Sequence, residues 1–172
     1  MKFLPAPWRW QFLTKLNKSE KCFLCQAPEQ DDRDSLICDR GEKFFVLLNR
    51  YPYTSGHLLV SPYEHIDSPE KMGSADEMWD LALRGMGILR MHFRPQGFNL
   101  GLNVGKAAGA GVHDHFHLHV VPRWEGDANF MAVAGDTRVL SFDMDTVRRI
   151  IADAYAEQRK AAAADPGEKP PS

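Results

Sequence analysis

The stretch His115-Phe116-His117-Leu118-His119-Val120-Val121 sets three histidines at alternate positions, and four of the chain's seven histidines fall between His113 and His119. Successive side chains of a strand point to opposite faces, so the pattern predicts a strand over 115–121, stopped by Pro122. Its three imidazoles share one face, and Phe116, Leu118 and Val120 face a core. A single histidine in such a strand is ordinary filling. Three at this period are not, because imidazoles fill cores poorly and bring nitrogens that need partners. One metal ion does not account for all three. Same-face neighbours stand about 6.6–6.8 Å apart and the outer pair about 13 Å, whereas zinc takes nitrogen at about 2.0–2.1 Å. Two could share an ion, or one could ligate while its neighbours do other work.

Just upstream, Gly97 to Gly105 leads through Lys106 into the small-residue run Gly105–Gly111, where main-chain N–H groups can approach an oxyanion closely. A glycine-rich loop delivered into a histidine strand suggests phosphoryl chemistry with a nitrogen nucleophile. Working outward, Phe98–Asn103 reads as a strand. Ser35–Cys38, Lys43–Leu48 and His57–Ser61 read as an antiparallel meander broken by turn residues at Asp39-Arg40-Gly41 and between Asn49 and Gly56. Ser74, with Glu77 three residues on, predicts a capping box opening a helix that runs to about Phe93 and ends before Pro95-Gln96-Gly97. A second amphipathic helix is expected over 143–159. Residues 1–20 read as an irregular arm, 21–159 as one α+β domain, and 160–172 as a flexible tail rich in Ala, Pro, Gly and charge.

A length of 172 residues suits one domain with a substantial core, so disulfide staples are unnecessary. The net charge of −2 supplies no positive field for a nucleic acid polymer or an anionic membrane, and any anion must be caught locally. No run approaches a membrane span, and Met1–Phe12, interrupted by Pro5, Pro7 and Arg9, does not read as a secretion signal; a cytoplasmic location is the expectation. Cys22 and Cys25 form a Cys-x-x-Cys that is open to three readings: a redox pair, half a zinc site, or two buried thiols. Cys38, in a strand, reads as a small buried hydrophobe.

Together with the histidine heptad, several further segments resemble the histidine triad superfamily of nucleotidyl hydrolases and transferases. They are Ala6-Pro7-Trp8-Arg9, Cys22-Phe23-Leu24-Cys25, Asn49-Arg50-Tyr51-Pro52-Tyr53, Gly56-His57-Leu58-Leu59-Val60, and Val121 to Asp127 with Asn129-Phe130-Met131. The likeness reaches to about Tyr155 and is strongest to the branch containing diadenosine tetraphosphate phosphorylases. It implies an antiparallel sheet with flanking helices, a homodimer, and a small-molecule nucleotide substrate such as a dinucleoside polyphosphate. His117 would be the nucleophile that forms a nucleotidyl-histidine, His119 would support the phosphate and leaving group, and His57 would orient the triad. Asn49 would contact the ribose, Asn103 the phosphate, and Leu47 with Phe45 or Phe44 the base. The resemblance also implies a structural zinc on Cys22, Cys25, His65 and His115. Where relatives carry Gln, Ser or Thr ahead of the motif, this chain has Ala110-Gly111-Val112. Main-chain N–H groups of Gly111 and Val112, helped by His113 or Lys106, would take over phosphate binding, and either water or phosphate could be the acceptor. The alternative is a zinc-stabilised nucleotide-binding regulatory protein with little turnover.

Overall fold

Alternating apolar runs, each bounded by turn residues, pair into a sheet in the computed structural model, which describes residues 22–108, 114–127 and 143–164. The strands are β1 (Ile37–Arg40), β2 (Phe44–Leu48), β3 (Leu58–Pro62), β4 (Gly97–Leu102) and β5 (Leu118–Arg123). Among the described residues they form one antiparallel sheet in the order β1-β2-β3-β5-β4. Short helical turns α1 (Phe23–Gln26) and α2 (Asp32–Ser35) precede it, and α3 (Asp76–Phe93) and α4 (Met144–Ala164) are the long helices.

Register assigns the two faces. Leu47 pairs with Leu59, Leu59 with His119, and His119 with Gly101, so these side chains share one face; the next row, Val46, Val60, Leu118 and Leu102, points the other way. The second face is the main core, where Phe44, Val46, Val60 and Leu118 pack against Leu81, Leu89, Ile151 and Tyr155 from α3 and α4. On the first face, Phe45, Leu47 and Leu59 form a smaller cluster with Leu24, Ala27 and Ile37 beneath α1. The α+β class and the antiparallel sheet are as expected.

Several boundaries differ, each for a local reason. The histidine strand begins at Leu118, so His115 and His117 precede it. The Phe116 N–H donates to Ile66 O at 2.8 Å, and the His115 carbonyl accepts from the His117 ring, which diverts this main chain from a strand ladder. The strand also continues through Pro122. The Pro122 carbonyl accepts from Thr54 Oγ1, so its ring nitrogen faces the same side, past the end of β3, where no ladder donor is needed. β1 starts two residues late because Ser35 ends α2 and Leu36 takes φ 64°. A register shift between Ile37 and Asp39 then turns Asp39 toward the helices. The expected capping box does not form. Ser74 Oγ accepts from Asp76 N, but Glu77 accepts from the main-chain N–H groups of Glu42 and Lys43 and ties down the β1–β2 turn instead. Finally, α4 runs to Ala164, because the alanine run has high helix propensity. The N-terminal arm 1–20 lies outside the described residues.

Candidate active site and metal cluster

His57 enters the site at the mouth of the β2–β3 hairpin, where the Asn49 N–H donates to the His57 carbonyl at 2.9 Å. Gly56 makes the turn at φ 78°, a conformation costly for other residues. The imidazole of His57 is fully buried. Its Nδ1 accepts from the Tyr53 main-chain N–H at 3.2 Å, a group that can only donate. The Asn49 side-chain nitrogen lies 3.3 Å from the same Nδ1, and the orientation of that amide is set because its Oδ1 accepts from Tyr51 N at 2.9 Å. The ring hydrogen of neutral His57 therefore sits on Nε2 and is donated to His119 Nδ1, 3.0 Å away. His119 in turn carries its hydrogen on Nε2. The Asn103 side-chain nitrogen stands 3.3 Å from His119 Nε2, and a half-turn of that amide puts its oxygen there to accept the Nε2–H.

His117 has the opposite arrangement. Its Nδ1–H donates to the His115 carbonyl at 3.0 Å, which leaves the Nε2 lone pair free. Burial lowers the pKa of His117, so the neutral, nucleophilic form dominates at neutral pH. Burial, reinforced by His117, pushes His119 down to about 4. The two rings meet edge to face, 4.8 Å between centroids. Main-chain groups thus specify one imidazole with a free Nε2 and a neighbour bearing Nε2–H.

The other histidine of the motif turns away. His115, also fully buried, points Nδ1 at two cysteines, 3.4 Å from both Cys22 Sγ and Cys25 Sγ. His65 Nδ1 lies 3.1 Å from Cys25 Sγ, and all four ligand atoms lie within 4.8 Å of one another. A tetrahedral ion with bonds of about 2.3 Å to sulfur and 2.0–2.1 Å to nitrogen needs ligand separations of about 3.3–3.8 Å, so small adjustments close the cluster. His115 Nε2–H donates to the Pro62 carbonyl at 2.9 Å, the outer partner that keeps Nδ1 free to ligate. Burial pushes the Cys25 thiol up to about 11, so a thiolate there calls for a cation. Two thiols with two imidazoles suit zinc.

His57, His117, His119, Asn49 and Asn103 converge on one site, and Cys22, Cys25, His65 and His115 converge on the other. Phe45 and Leu47 lie in the cluster beneath α1, at 0% and 2% exposure, on the histidine face. Gly111 and Val112 lie outside the described residues. Cys38 is buried in the main core, as expected. Sequence reasoning missed Tyr53, whose ring covers His57; a tyrosine in a Pro-containing loop has many uses, and no spacing singled this one out. It also missed the buried Asp39, which pairs with Arg159 at 2.7 Å and stands 4.0 Å from Arg84, because the bulge that turns Asp39 inward has no signature in the residue pattern.

The HIT domain model matches residues 30–126. The chain is similar to AP-4-A phosphorylase of Mycobacterium tuberculosis, 36% identical over 135 residues that cover 77% of this chain and 69% of that protein. It is 31% identical over 97 residues to bis(5'-adenosyl)-triphosphatase of Dictyostelium discoideum, covering 55% of this chain and 64% of that one. Among solved structures, a Zn-bound histidine triad family protein from Mycobacterium smegmatis superposes with a TM-score of 0.59 at 24% identity, covering 88% and 96% of the two chains.

Proposed function

Because the chain belongs to the histidine triad family, we propose that it cleaves dinucleoside polyphosphates through a nucleotidyl-histidine intermediate on His117. The observation that carries this reading is the opposed pair of tautomers: the His115 carbonyl sets that of His117, and the Tyr53 main-chain N–H sets that of His57, which in turn donates to His119. His117 Nε2 attacks the α-phosphorus, and a nitrogen–phosphorus bond forms as the bond to the leaving polyphosphate oxygen breaks. His119 Nε2–H meets the charge developing on that oxygen. With diadenosine tetraphosphate the departing group is ATP. Water then releases AMP from His117, or phosphate releases ADP. In this reading Asn49 holds the ribose, Asn103 holds His119 and the phosphate, and Gly111 and Val112 supply main-chain donors. Phe45 and Leu47 back the base from beneath.

Cys22, Cys25, His65 and His115 would hold zinc. Four protein ligands close such a site, so its contribution is structural, and His115 links it to the chemistry by offering its carbonyl to His117. A homodimer fits the surface. β4 is an edge strand with Leu100 exposed on it, and α3 carries an exposed stripe of Trp79, Leu83 and Met91. No described helix is long and apolar enough to cross a membrane, and a reduced thiol pair suits the cytoplasm.

The deciding experiment is incubation of the purified chain with diadenosine tetraphosphate, with and without phosphate, followed by chromatography and mass spectrometry of quenched protein. AMP plus ATP indicates hydrolysis, and ADP plus ATP indicates phosphorolysis. An adenylyl group on His117 supports the covalent route. Unchanged substrate and unmodified His117 would overturn the reading in favour of a nucleotide-binding protein.

A further inference from the structure

Tyr53 touches the site twice. Its main-chain N–H donates to His57 Nδ1 at 3.2 Å, and its ring lies against the same imidazole with centroids 4.7 Å apart. That ring is also stacked on His119, 6.0 Å between centroids and 21° between planes. His57 has no exposed surface, whereas Tyr53 is 46% exposed, so the tyrosine is the solvent-facing cover of the stack. The hydrogen bond from His57 Nε2 to His119 Nδ1 runs beneath it.

An imidazole reached by water can exchange its partner for solvent and move its hydrogen to the other nitrogen. An aromatic face excludes that water and, by stacking, holds the plane of the ring beneath it. Two imidazoles under one tyrosine are thereby kept in line with each other. We propose that Tyr53 is a positioning residue for the cleavage reaction, its ring holding His119 in the tautomer that presents Nε2–H to the leaving oxygen. The proposal rests on the reading that His119 serves the leaving group. The covering is done by the ring face, so phenylalanine should serve and a side chain without a ring should not.

Leaving groups differ in how much they need that hydrogen. The phenolate of an unsubstituted phenyl ester, whose conjugate acid has a pKa of about 10, departs poorly without it, whereas the far less basic 4-nitrophenolate departs readily unaided. The test compares wild type, Tyr53→Phe and Tyr53→Ala as full chains loaded with zinc. One arm measures kcat and KM on the phenyl and on the 4-nitrophenyl ester of AMP. The other reads the ring nitrogens of His119 by long-range proton–nitrogen NMR. For Tyr53→Ala, kcat on the phenyl ester is expected to fall about tenfold or more with KM nearly unchanged, while the 4-nitrophenyl ester is turned over within about twofold of wild type. The His119 nitrogens should change from one tautomer to an average of two. Tyr53→Phe should match wild type in every respect. Undiminished phenyl-ester cleavage by Tyr53→Ala, equal losses on both substrates, a single retained tautomer, or an equally impaired Tyr53→Phe would each overturn the proposal. If Tyr53→Ala does not fold, Tyr53→Leu, which keeps bulk without a planar face, is judged by the same criteria. If wild type cleaves neither substrate, the proposed activity fails, and the NMR comparison still decides the role of Tyr53.

Discussion

In the proposed mechanism His117 contributes a single lone pair, and that is why its loss should be severe and local. Its Nδ1–H answers the His115 carbonyl, a contact whose removal leaves one main-chain acceptor to be satisfied by water. His117→Ala should therefore fold, and kcat should fall by about three orders of magnitude or more, as when other covalent nucleophiles are removed. Turnover by the pure variant at a tenth of the wild-type rate would refute the assignment. His119 makes a different prediction, about pH. Burial holds its folded pKa down at about 4, while the unfolded imidazole titrates at 6.5. As pH falls the unfolded chain takes the proton first, so stability is undiminished above about 6.5 and is lost progressively between about 6.5 and 4. Denaturant midpoints at pH 7 and pH 5 should show a smaller acid loss in His119→Gln than in wild type. Equal losses would mean that His119 is protonated as readily in the fold as out of it.

At the scale of elements, α3 and α4 meet where Gly85 leaves room for Tyr155, whose hydroxyl donates to the Leu81 carbonyl at 2.7 Å. A Cβ on Gly85 would lie 2.6 Å from that hydroxyl and 2.9 Å from a Leu58 methyl. Alanine gains about 1 kcal/mol of helix propensity, but overpacking of a tight core costs about 1–3 kcal/mol and here also displaces a buried hydrogen bond. The second effect wins, so Gly85→Ala should lower the thermal midpoint; a raised midpoint would show that the helices slide apart freely. α1 depends on different forces. It is a single turn, too short to persist alone, and the cluster of Cys22, Cys25, His65 and His115 ties it to the sheet. About one zinc per chain is expected by elemental analysis, and chelator or Cys22→Ser should lower the melt well beyond an ordinary surface change. Metal-free protein from zinc-replete medium with an unaltered Cys22→Ser melt would refute the cluster. Element types were legible in the sequence because periodicity and turn residues report them directly. Element ends were less so. Where β5 begins depends on Phe116 N finding Ile66 O, a tertiary bond that no local pattern announces, and Glu77 read as a cap because its real partners lie 34 and 35 residues away.

For the whole molecule, the histidine strand and the Cys-x-x-Cys were legible from spacing, whereas the grouping of His65 and His115 with the cysteines, and of His57, Asn49 and Asn103 with His117, came from the resemblance to the histidine triad family, because only the fold brings those separate segments together. The tautomers were not legible, since they follow from which main-chain group each ring nitrogen meets. Nor does the sequence separate the outer surface of α3 from its core side cleanly, because both are apolar. Leu83 is 59% and Met91 73% exposed, and they continue toward β4, where Arg90 lies over the Phe98 ring. Such a patch is unfavourable in water unless a second copy covers it. Light scattering is expected to report a dimer for wild type and a monomer for Leu83→Glu, which would bury an unpaired carboxylate at the seam. A monomeric wild type would show that the face serves something else.

The division of the sheet into two faces has a consequence for anyone who would rewrite this protein. From Phe44 onward, even-numbered strand positions such as Val46, Val60, Leu118 and Val120 point into the main core, and odd-numbered ones such as Leu47, Leu59 and His119 point toward the chemistry. Parity therefore separates two alphabets that can be edited independently. A combinatorial library confined to odd positions leaves the main core unchanged, but at Phe45, Leu47 and Leu59 it must keep the apolar packing beneath α1. One residue inserted inside β3 would exchange the alphabets, sending leucines into the reaction site and His57 toward the helices, whereas two inserted residues would restore the reading.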